Sequence, residues 1–121
     1  VTRTRTHLVA VLLVAILSTG CASRALFRTA QVSVVATQAA DLHSTHLALA
    51  GGYGREANPF LPTAWQGQLV IKGGITSVEL WLSERLSKTH PVLATIVLSA
   101  LAGGTALVSV RNYRITARGQ E

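Results

Sequence analysis

The stretch from Thr89 to Val110, THPVLATIVLSALAGGTALVSV, decides the fold class. It runs 22 residues without Asp, Glu, Lys or Arg. At 1.5 Å per residue a helix of that length rises about 33 Å, enough to cross a hydrocarbon core of about 30 Å. Pro91 falls in the first turn, where its missing N–H costs nothing. Thr95, Ser99, Gly103 and Ala106 share a narrow arc at 100° per residue, which predicts a small-residue face for contact with another helix. Arg111, Arg114 and Arg118 follow, and residues 115–121 read as a basic polar tail.

Working back from this run, a helix is expected over Ala64 to Leu86, bracketed by Trp65 and Trp81 at interface depth. Another is expected over Thr29 to Ala50, ended by Gly51-Gly52, a pair suited to the positive φ of a helix C-cap. The link from Tyr53 to Pro62 contains Pro59 and Pro62, which prevent one continuous helix. Arg24 and Arg28 mark a short basic link ahead of Thr29. Residues 29–114 thus form a helical membrane domain, preceded by a signal-like or first membrane segment over 1–23.

That first segment has a basic head, Arg3 and Arg5, then ten unbroken apolar residues from Leu8 to Leu17 and small residues up to Ser23. Three outcomes fit it: an uncleaved helix from Thr6 to Ser23, ordinary cleavage near Ala22, or lipidation of Cys21. The lipidation pattern is imperfect, because Ser18 occupies the place where such signals carry Leu, Val or Ile. The chain has no Met, so Val1 is expected to come from an alternative start codon and the sequence to be a bacterial precursor.

Composition agrees with lipid-facing helices. The chain is 49% hydrophobic and 13% charged, against about 25% charged in soluble domains, and its mean hydropathy is +0.40. The net charge of +6 does not point to nucleic acid, since the basic residues flank apolar segments and form no patch with interleaved aromatics. With both termini inside, Arg3, Arg5, Arg55, Arg111, Arg114 and Arg118 fall in the cytoplasm and Arg24, Arg28, Arg85 and Lys88 outside, a modest positive-inside bias. The expectation is an all-α integral membrane bundle of three or four transmembrane helices, in a bacterial inner membrane.

Ionisable residues inside spans cost a few kcal/mol each unless paired or wetted. Here they are Asp41, Lys72 and Glu79. Gln38, Asp41 and Thr45 form one polar stripe, and Gln68, Lys72, Thr76, Glu79 and Ser83 another. Because neither stripe suits lipid, the two should face each other, with Lys72 paired to Asp41 or to Glu56. This network either fixes helix register and serves partner binding, or handles protons or ions.

His43 and His46 share a helix face, as metal ligands at this spacing would. Asp41 lies about 140° from His46 and about 160° from His43, so it cannot join them on one face. They are weak metal candidates that need ligands from elsewhere, Glu56 being nearest. Ser44 beside His43 diverges by about 100° and makes no nucleophile–base pair. Gly51-Gly52-Tyr53-Gly54 lacks the Lys and Ser or Thr of a phosphate loop. Neither feature supports an enzyme, and the sequence identifies no particular cofactor. The partners implied are the lipid bilayer and either another membrane protein or further copies of the chain.

Asp41-x-x-x-Thr45, Gly51-Gly52, Glu56-x-Asn58-Pro59 and the later Lys72 resemble an uncharacterised family of small bacterial multi-helix membrane proteins, a domain of unknown function. The resemblance covers Val32 to Arg114, with Asn112-Tyr113 similar to the family's end after its last helix. It departs from the pattern in Tyr53-Gly54-Arg55, inserted before the Glu, and in His43 and His46. It implies a helical membrane fold with Asp41, Thr45, Glu56, Asn58, Pro59 and Lys72 as shared positions, and no established activity.

Overall fold

The computed structural model describes residues 20–54 and 64–120, the side chains of 20–22 excepted. The chain is all-α, with three helices among the described residues: α1 over Gly20–Ala50, α2 over Trp65–Ser87 and α3 over Pro91–Gly119. Pairings along their lengths fix the directions. Arg28 and Asp41 of α1 meet Glu84 and Lys72 of α2, so these helices are antiparallel. Phe27 and Val34 pack with Ala94, Leu98 and Ala102, and Thr45 bonds to Asn112 further along, so α1 and α3 are parallel neighbours.

The ends of the helices follow from local chemistry. Gly52 adopts φ +72°, a region open to glycine without a Cβ clash. This lets Tyr53 N–H reach Ala48 O at 2.9 Å and Gly52 N–H reach Leu49 O at 3.1 Å, the paired bonds of a Schellman cap. The expected C-cap at Gly51-Gly52 is therefore present. At the other end of the bundle, Lys88, Thr89 and His90 N–H groups occupy Arg85 and Leu86 carbonyls. Pro91 then opens α3 in its first turn.

The core is small and lies between α1 and α3. Phe27, Ala30 and Val34 pack against Ala94, Leu98 and Ala102, with Leu86 of α2 touching the cluster. Alanines at three of these positions let the two backbones approach closely. Helix α2 buries only Gln68 and Ser83. Its large apolar side chains, among them Val70, Ile75, Val78 and Trp81, face outward, and Val70 is 73% exposed. Val32 on α1 and Leu107 on α3, at 68% and 74% exposed, continue the same outer surface.

Several boundaries differ from the sequence reading. The expected basic link at Arg24 and Arg28 is helical, because nothing between Gly20 and Ala50 breaks the backbone ladder and both arginines point outward. Helix α3 runs past Val110 to Gly119, so Asn112 and Tyr113 lie within it and most of the expected tail is helical. The contact face of α3 is also different. Of Thr95, Ser99, Gly103 and Ala106 only Thr95 is buried, and a Cβ on Gly103 would meet nothing within 4 Å. The buried positions are Ala94, Thr95, Leu98, Ala102, Ser109 and Thr116, of which Thr95, Ala102, Ser109 and Thr116 recur every seven residues, a spacing that keeps one seam against α1.

Among the described residues, α3 is the one helix long and apolar enough to cross a membrane. Helices α1 and α2 have sufficient length, but Arg24, Arg28, Asp41, Lys72, Glu79, Glu84 and Arg85 dilute their apolar character.

Candidate functional site

The polar groups of all three helices converge inside the bundle. On α2, the expected stripe Gln68, Lys72, Thr76, Glu79 and Ser83 is turned inward, each residue buried or half-buried. On α1, Asp41 and Thr45 are buried, with Ser44 beside them fully enclosed. Lys72 Nζ donates to Asp41 Oδ2, and both side chains are nearly removed from solvent, at 13% and 12% exposure. Of the two partners expected for Lys72, Asp41 takes the place; Glu56, Asn58 and Pro59 lie outside the described residues.

Helix α3 completes the cluster. Asn112 Nδ2 donates to Thr45 Oγ1 at 3.1 Å and approaches Ser44 Oγ at 3.5 Å. Ser44 Oγ in turn donates to the Asp41 carbonyl at 3.1 Å. Asp41 Oδ1 has no hydrogen-bond partner among the described residues, and neither has Glu79 Oε2. The cluster therefore joins three helices through one ion pair and one amide, and retains two enclosed carboxylate oxygens with acceptor capacity.

His43 and His46 lie outside this cluster. His43 Nδ1 is 2.8 Å from Tyr113 Oη on α3, and the His46 ring packs on Trp65 of α2 with centroids 4.8 Å apart. The two rings thus turn to different helices, and no group of three potential metal ligands occurs among the described residues. Nor do Ser44 and His43 approach as a nucleophile and base, since each is engaged with a different residue of α3.

A second polar group sits at the opposite end. Arg28 grips Glu84 through both guanidinium nitrogens, at 3.0 and 3.3 Å, and Gln31 Nε2 adds a bond to the same carboxylate at 3.1 Å. This triad and the role of Asn112 were not expected from sequence. Asn112 carried a usable signal: it lies seven residues beyond Thr105 and fourteen beyond Leu98, in register with the buried seam, and nothing helix-breaking separates it from Val110. Comparison of the chain with known protein families, characterised proteins and solved structures finds no match.

Proposed function

We propose that the chain is a small integral membrane protein whose described helices pack as a bilayer-embedded bundle, with Asp41, Lys72, Thr45 and Asn112 fixing helix register and presenting a surface for a membrane partner. The observation that carries this reading is the inverted polarity of the fold. Asp41 of α1 and Gln68, Lys72 and Glu79 of α2 turn inward while Val32, Val70, Ile75, Val78 and Leu107 turn outward. In water such an exterior is unfavourable, whereas in lipid it is the expected solvent-facing surface. The resemblance on Asp41, Thr45, Glu56, Asn58 and Lys72 supports the same reading and brings no activity with it.

Membrane fractionation tests it. The chain should stay with the membrane pellet after alkaline carbonate washing, and Asp41 and Lys72 variants should accumulate less than the parent chain. Release by carbonate would overturn the membrane reading. Normal accumulation of both variants would overturn the structural role of the pair.

A second reading, proton or ion handling, is favoured by one observation. Asp41 Oδ1 and Glu79 Oε2 are enclosed carboxylate oxygens without hydrogen-bond partners among the described residues, an arrangement that suits a transient proton or small cation. Under that reading Asp41 and Glu79 variants accumulate normally but abolish a pH-driven flux in proteoliposomes.

A further inference from the structure

We propose that the end of the bundle opposite the Asp41 cluster binds an anionic phospholipid, with its phosphate between Arg24 and Lys88 and an acyl chain along the start of α3. The proposal rests on the membrane reading above and names a specific ligand for a different part of the molecule. Three features carry it.

A cavity of about 270 Å³ lies at this end, lined by Arg24 and Arg28 of α1, Glu84 and Ser87 of α2, and Lys88 of the turn, with Phe27 and Pro91 as apolar walls. Its cations are not equivalent. Arg28 is paired with Glu84, whose carboxylate also accepts from Gln31. Arg24 and Lys88 form no ion pair among the described residues. The cavity therefore contains two uncompensated positive charges.

The positive end of α3 adds to them. The helix begins at Pro91 on the cavity wall, and His90 provides no side-chain cap for its first N–H groups, so the helix dipole favours an anion there. The opposing effect of the α2 C-terminus is reduced, because its last carbonyls accept bonds from Lys88, Thr89 and His90 N–H.

The cavity also adjoins a largely apolar groove across Pro91. Pro91 lines both it and a neighbouring space of about 420 Å³ walled by Val92, Leu93 and Ile96. A small anion would use the first space alone, whereas a phospholipid fills both. Basic pockets between membrane helices that lead onto apolar surface take anionic headgroups in this way.

The test is native mass spectrometry of the full chain, released from nanodiscs made of an equal mixture of phosphatidylglycerol and phosphatidylcholine. Retained phosphatidylglycerol should exceed phosphatidylcholine on the order of tenfold, from two cations near a headgroup. An Arg24→Gln, Lys88→Gln double variant should lose the enrichment. Arg24→Lys with Lys88→Arg should retain it, as should Arg114→Gln with Arg118→Gln at the far end, with equal helicity by circular dichroism. Equal retention of both lipids by a chain that enters nanodiscs would overturn the lipid site while leaving the membrane reading intact. Failure to enter nanodiscs would overturn both. Inorganic phosphate that abolishes the enrichment while itself staying bound would show a site for the ion and overturn the lipid assignment.

Discussion

Lys72, on the inward face of α2, donates its ammonium proton to Asp41 on α1 where both side chains are almost wholly withdrawn from solvent. Removing one member leaves the other as an enclosed, unpaired charge, a loss of about 3–5 kcal/mol. Lys72→Met and Asp41→Leu are each expected to destabilise by that amount. The double variant should recover most of it, because the isosteric apolar pair leaves no charge behind. Reversible unfolding of the four proteins in detergent gives the coupling directly, and additive losses would show that the pair is not a unit.

Asn112 connects α3 to the same cluster through Thr45. Asn112→Ala removes that bond and strands the Thr45 hydroxyl, so a loss of about 1 kcal/mol is expected. Thr45→Val should cost a similar amount, and the two together little more than either alone. The readout is the same unfolding experiment.

The α2 stripe was legible before any coordinates, because Gln68, Lys72, Thr76, Glu79 and Ser83 recur at three- and four-residue steps among apolar neighbours, which fixes a face. Charge left Asp41 and Glu56 as partners for Lys72, and the antiparallel packing of α1 and α2 brings Asp41 to it. The seam of α3 was not legible in the same way. Thr95, Ser99, Gly103 and Ala106 are all small, and only the parallel packing against α1 retains Thr95 and joins it to Ala94, Leu98, Ala102, Ser109 and Thr116. Boundaries drawn at charged residues were also misplaced. Arg24, Arg28 and Arg111 read as ends of apolar runs, yet charge does not interrupt a helical backbone, and both helices continue through them.

Arg28 and Glu84 offer a contrast to the enclosed pair. Their side chains are 53% and 43% exposed, so screening by solvent reduces their mutual attraction to about 0–1 kcal/mol. Glu84→Gln should leave unfolding almost unchanged, and any small loss should vanish in high salt. A loss matching that of Lys72→Met would show that this end of the bundle is drier than its exposure implies.

Two glycines should respond to alanine in opposite directions. Gly52 has φ +72° within the Schellman cap, a region that costs an L-residue about 1 kcal/mol or more, so Gly52→Ala should destabilise. Gly103 lies mid-helix with open space where a Cβ would point, so Gly103→Ala should add about 0.5–1 kcal/mol through helix propensity. A destabilised Gly103→Ala would mean that another molecule packs on this face in the assembled protein. Analytical ultracentrifugation of parent and variant in detergent would then reveal a change in mass.

Glu79 separates the structural and proton-handling readings. It lies on the inward stripe of α2, seven residues from Lys72 and five from Glu84, with Oε2 enclosed and without a hydrogen-bond partner among the described residues. Oε2 accepts no hydrogen bond there that Gln would lose. If the cluster only fixes register, Glu79→Gln should hold or raise stability and change nothing else. If Glu79 carries a proton through the bundle, the same variant should be equally stable but abolish acidification of proteoliposomes read by an internal pH dye. Glu79→Asp, which retains a titratable group, should then restore part of the flux. Equal flux in parent and Glu79→Gln liposomes would remove the proton reading and leave the register role of Asp41 and Lys72 standing.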